Sequence, residues 1–98
     1  MVTDWLQRIR AQHEKNLARW GGPDHDDQHE NGPLAQAAAC YAFGCNLWDG
    51  PSGPAIWPFD DVSEPRYPET HAERNDQLVD AGALILAELE RRERAGQV

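Results

Sequence analysis

The sequence predicts an all-α fold: a small three-helix domain with a long ordered Pro/Trp-rich loop, completed by homo-oligomerisation. Three observations carry this. Apolar residues recur at three- and four-residue intervals near both ends of the chain. An alanine-rich run opened by Gly32-Pro33 lies between them. The two connecting stretches are too polar, or too rich in proline, to form an element of the core. At 98 residues the chain makes one domain, 1–98, since a second core needs roughly another hundred. Helical domains of this size bury only about 60 to 65% of their unfolded surface, so further copies of the chain are expected to complete the core.

The first helix is expected over about residues 4–19. Thr3 is a good N-cap, after which Trp5, Leu6, Ile9, His13, Leu17 and Trp20 share one face until Gly21-Gly22-Pro23 stops the helix. His13 falls in the middle of that stripe, where an imidazole must find a hydrogen-bond partner or suffer desolvation. It is either a core histidine bonded to a neighbour or a ligand contact. Arg8, Lys15 and Arg19 lie off the stripe and read as solvated.

From Gly21 to Pro33 no apolar residue occurs, and His25, Asp26, Asp27 and His29 crowd together with Asp24 and Glu30. Such a run is a solvated connector or a site held by the flanking helices. The second helix is expected over 33–43, with proline in its first turn, Leu34, Ala38 and Tyr41 on one side and Ala35, Ala39 and Ala42 beside them. So many alanines permit close approach, which makes it the expected central helix, buried on more than one side. Its N-terminus near Asn31 and Gly32 is a possible anion site. Cys40 reads as core and Cys45, beyond Gly44, as loop, without a disulfide in a reducing compartment.

Over 46–70 the composition turns to Pro, Gly and aromatics, and no helix survives that many prolines. Trp48, Trp57 and Phe59 argue that this arm is pinned rather than loose. The third helix is expected over 73–94, with Leu78, Gly82, Ile85 and Leu89 as its buried stripe and Val79, Ala83 and Leu86 widening it. Gly82 costs about 1 kcal/mol against alanine inside a helix, so a close crossing is the expected reason for it. The end of this helix offers Glu88 with Arg92 and Glu90 with Arg94 as solvated pairs.

A net charge of -8 with only nine Lys and Arg excludes a general nucleic-acid binder, which needs a cationic face. No apolar run reaches membrane-spanning length and the first residues lack a signal-peptide core, so a soluble, cytoplasmic protein is expected, with no membrane partner.

Laid end to end, the pattern resembles a family of small, mostly uncharacterised tailed-phage proteins. The likeness rests on Gly-Pro-x-His-Asp-Asp-x-His from Gly22 to His29, the helix Leu34 to Ala42, Trp57-Pro58-Phe59-Asp60, and the segment Asp76 to Arg91. Pro33 stands where an acidic residue is usual, and Asp80 where a lysine is usual. The resemblance implies a phage accessory protein in a bacterial host cell. Such proteins commonly alter nucleotide pools or blunt host defence, and both point to nucleotides.

The expected function is therefore the binding and sequestration of a small nucleotide, such as a cyclic or ADP-ribose-like immune signal, without turnover. Aromatic residues suit a base, cations a phosphate, and polar groups a ribose. Arg8, Arg10, His13, Trp20, His25, Asp26, Asp27, His29, Tyr41, Trp57 and Arg74 supply these types as the candidate ligand-binding set. No cofactor, resident metal or catalytic residue is expected on this reading. One alternative is a metal-dependent nucleotide pyrophosphohydrolase, in which the His/Asp run joins Asp76 and Asp80, one helical turn apart, around a divalent cation. The other is an acidic, protein-binding inhibitor of a host defence protein.

Overall fold

The computed structural model describes residues 2–20, 22, 32–44, 56–59 and 62–97. It contains α1 (Trp5–Trp20), α2 (Pro33–Phe43) and α3 (His71–Arg94), and among the described residues there is no strand. The all-α class and the three helices follow the hydrophobic periodicity, with shifts at two starts set by side chains that cap the backbone. Asp4, not Thr3, caps α1, its carboxylate accepting from the Gln7 N–H at 3.1 Å. Thr70 caps α3 by accepting from the Glu73 N–H at 3.1 Å, while the Glu73 carboxylate accepts from the Glu69 N–H at 2.9 Å. This reciprocal arrangement, written in the sequence as Thr-x-x-Glu, starts the helix at His71 rather than at 73. α2 is bounded by Gly32 at φ 95° and Gly44 at φ 109°, both left-handed positions that favour glycine.

The central helix is α3, which corrects the expectation that the alanine-rich α2 would be. Both α1 and α2 pack along α3. Length decides this: 24 residues extend about 36 Å at 1.5 Å per residue, enough to carry two partners, whereas the 11 residues of α2 extend less than half as far. α2 runs antiparallel to α3. Its C-terminal carbonyls are held near the start of α3, where the Arg74 guanidinium donates to Tyr41 O at 3.2 Å and to Ala42 O at 2.6 Å. Gln77 extends the clasp, donating to Arg66 O at 2.5 Å. α2 is buried on one side only, through Leu34, Ala37, Ala38 and Cys40, leaving Ala35, Ala39 and Ala42 exposed.

The face that α3 buries is the expected one only in part: Val79 and Ala83, expected to widen the buried stripe, are buried, but the stripe itself is displaced. Val79, Ala81, Ala83 and Ala87 form the core, while Leu78, Ile85 and Leu89 are 45%, 50% and 58% exposed. Small residues allow two helices to approach α3 closely, and the larger aliphatic side chains are turned outward on the remaining face. The first turn of α1 is likewise only partly covered, since Leu6 is exposed and Trp5 nearly half so.

The close crossing expected at Gly82 is present. A Cβ built there would lie 2.9 Å from Ile9 Cδ1 and 3.0 Å from Ile9 Cγ1, so the two helices meet where glycine leaves room for isoleucine. Gly82→Ala gains about 1 kcal/mol of helix propensity but meets an overpacking cost of about 1–3 kcal/mol, so a net loss of about 1 kcal/mol is expected. Thermal unfolding should show a Tm lowered by about 4–8 °C. Adding Ile9→Val, which removes Cδ1, should recover most of it. A Gly82→Ala variant that melts at or above the parent temperature would refute this account of the crossing.

Candidate functional site

Where α1 and α2 diverge along α3, a cleft of about 270 Å³ remains. α1 contributes Gln12, His13, Asn16, Arg19 and Trp20; α2 contributes Leu34 and Tyr41; the arm contributes Trp57, Phe59 and Val62; α3 contributes Asp80, Leu84 and Ala87. The α1 residues fall at helical spacing on one side, so a little over two turns of helix present an amide pair, an imidazole, a guanidinium and an indole to one space.

The arm supplies an aromatic wall. Trp57 stands edge-on to Tyr41 with ring centroids 5.7 Å apart and to Phe59 at 5.6 Å. Its indole N–H donates to Val62 O at 2.9 Å, closing the arm on itself. These two contacts satisfy both the apolar ring and its polar tip, which fixes the indole against α2. On the α1 side, the Arg19 guanidinium lies 4.7 Å from the centroid of Trp20. That stacking holds the cation at the cleft without neutralising it.

Three polar groups give the cleft its chemistry. His13 is 3% exposed, and its Nε2 lies 2.8 Å from Glu90 Oε1. A carboxylate accepts, so Nε2 carries the hydrogen of this contact. Nδ1 is buried and has no hydrogen-bond partner among the described residues. The Asp80 carboxyl is pushed up to about 6, first by burial and then by the negative charge of Asp76. The Tyr41 phenol is also raised, by burial first and by Asp80 second, against a smaller opposing pull from Arg19. Beside these, Gln12 donates to the Asn16 amide oxygen at 2.9 Å, which orients both amides.

Of the residues expected from sequence to bind ligand, His13, Trp20, Tyr41 and Trp57 are brought together in this cleft. Arg8 is outside it, donating to Asp76 at 2.8 Å with its guanidinium 5.1 Å from the Trp5 centroid. Arg10 lines a separate shallow depression with Leu6, Ile9 and Leu86. Arg74 holds the carbonyls at the end of α2. His25, Asp26, Asp27 and His29 lie outside the described residues, as do Trp48 and Cys45. Among the described residues no three His, Cys, Asp or Glu side chains gather closely enough to hold a metal ion.

Sequence reasoning missed Gln12, Asn16 and Arg19 as lining residues, and named Asp80 only as half of a metal-binding pair. The signal was available for the first three: each lies on α1 within one or two turns of His13 and Trp20. No family model matches this chain, and neither the curated proteins nor the solved structures searched gave a match.

The raised Asp80 pKa has a measurable sign. The unfolded carboxyl ionises in its ordinary range, whereas the folded one holds its proton up to about 6. Its ionisation therefore adds no cost below about pH 4, and stability is lost as pH rises through the folded value. Asp80→Asn should remove that slope and stabilise the protein at neutral pH by on the order of 1 kcal/mol, after allowance for solvent screening of a half-buried group. Urea unfolding at several pH values checks it. A stability difference between parent and Asp80→Asn that stays constant across this range would show that Asp80 is not so perturbed.

Proposed function

We propose that this protein binds and sequesters a small nucleotide in the cleft between the three helices and the Trp57 arm, without turnover, as a phage accessory protein acting on nucleotides of its bacterial host. The observation that carries this reading is the convergence of Trp20, Tyr41, Trp57 and Phe59 with the Arg19 cation in one cleft. Aromatic faces stack a base at about 1–3 kcal/mol per base, and a guanidinium held beside them meets a phosphate.

The dimensions narrow the class. At about 270 Å³ the cleft lies just below the roughly 300 Å³ at which pockets begin to enclose drug-sized ligands. One mononucleotide fits that scale. A cyclic or ADP-ribose-like signal would have one unit in the cleft and the rest outside it. The net charge of -8 does not oppose this, because Arg19 acts locally and a single phosphate needs one well-placed cation.

Incubation with a bacterial nucleotide extract, followed by native mass spectrometry and chromatography of the released ligand, is the test. Retention of an intact nucleotide is expected, and Trp57→Ala should weaken it by about tenfold or more through loss of stacking. Recovery of a dephosphorylated product would favour the metal-dependent pyrophosphohydrolase instead, and a co-purifying host protein without a nucleotide would favour the acidic inhibitor.

The proposal includes a homo-oligomer, supported by the exposed Leu78, Ile85 and Leu89 on one face of α3. These residues recur at seven and then four positions, the spacing of a helix seam. Light scattering should give a mass above that of one chain, falling to one chain for Ile85→Glu. A parent protein that is monomeric at high concentration would rule this out.

A further inference from the structure

We infer that the cleft reads the donor edge of a guanine-type base, so that the captured ligand is a guanine mononucleotide; this rests on the nucleotide reading above and narrows it. The inference comes from the hydrogen-bonding character of the groups that the protein leaves unpaired there. The Asp80 carboxylate, which lines the cleft from α3, is acceptor-only, and among the described residues it has no hydrogen bond or ion pair. An anionic acceptor left unpaired by the described residues thus borders a space otherwise walled by aromatic rings. It calls for a flat ligand that presents N–H donors.

The common bases differ in this respect. Guanine offers a ring N–H and an exocyclic amine side by side, two donors that match the two oxygens of one carboxylate. Adenine places its amine next to bare ring nitrogens, which an acceptor wall repels, and cytosine has one amine beside an acceptor. Uracil offers a single ring N–H between two carbonyls. A carboxylate that receives both guanine donors regains the hydrogen bonds it lost on burial. The same donor edge occurs in pterins, so the recognised chemistry is the amino-oxo pyrimidine edge. Arg19, the guanidinium lining the cleft, selects the phosphorylated source.

Titration calorimetry at neutral pH with guanosine, inosine, adenosine and cytidine monophosphates, guanosine and a dihydroxypropyl pterin tests this. Guanosine monophosphate should bind tightest. The inosine nucleotide, which lacks only the exocyclic amine, should bind about tenfold weaker or worse. Asp80→Asn should cost the guanine nucleotide a similar factor while narrowing its advantage over the adenine one. That variant is expected to fold at least as well as the parent, so its effect on binding is separable from stability. Arg19→Gln should lower affinity for guanosine monophosphate to that for guanosine. Adenosine monophosphate binding as tightly as the guanine nucleotide, an Asp80→Asn variant with parental affinity and preference, or a pterin that outcompetes the nucleotide would each overturn the guanine assignment and leave capture of a heterocycle in the cleft standing. Absence of binding by every nucleotide would remove the broader reading as well.

Discussion

The constraint on which the structure depends is that one helix must bury two faces with very little side-chain bulk. α3 meets α2 and α1 through Val79, Ala81, Ala83 and Ala87, and meets Ile9 through the missing side chain of Gly82. A helix pair separated by alanines stands closer than one separated by leucines, so each methyl group buried is in dense contact. The consequence is a thin core. A small domain with so thin a core gains comparatively little from burial, which is why polar clasps matter at its ends. Arg74 and Gln77 fasten α2 and the arm to the start of α3, and the buried Arg91 pairs with Glu88 near its end.

The cleft follows from the same constraint. α1 and α2 are held near α3 by small residues but carry large ones, Trp20 and Tyr41, where they diverge. Rings of that size cannot enter the alanine-lined crossings, so they stand around the gap, and Trp57 and Phe59 from the arm complete the wall. His13 is drawn into the core by its place on the α1 stripe and is tethered to α3 by Glu90. The tether satisfies one ring nitrogen and turns the other to a place where the described chain supplies nothing.

How much of this could be read beforehand depends on the length scale of the signal. The three helices were legible because periodicity is local, whereas the Thr70 and Glu73 cap, which moves one boundary by two residues, went unread. The buried face of α3 was legible only at Val79 and Ala83, because hydrophobicity ranks Leu78, Ile85 and Leu89 above Ala81 and Ala87, whereas close packing of two partners ranks them the other way. Nor was the central role of α3 legible from alanine content alone, since that content signals closeness and not the number of neighbours. In the site, the aromatic residues and His13 could be picked by type. Arg8 and Arg74 could not be excluded by type, because a guanidinium that binds Asp76 or a carbonyl looks in sequence like one that binds phosphate. Their actual partners lie 68 and 33 residues away in the chain, beyond any local pattern.

The polar interior of the cleft is harder to explain as structure than as a site. Leucine or phenylalanine at 13 would fill the α1 stripe without leaving a buried nitrogen unsatisfied, and asparagine at 80 would avoid a carboxyl whose ionisation is opposed by burial and by Asp76. Each group lowers stability in a protein whose thin core leaves little margin. Groups of this kind cluster where a ligand restores the missing interactions. A single such residue would be unremarkable in any fold. A half-buried carboxyl and a stacked cation in one aromatic-walled cleft are a combination that packing alone does not require.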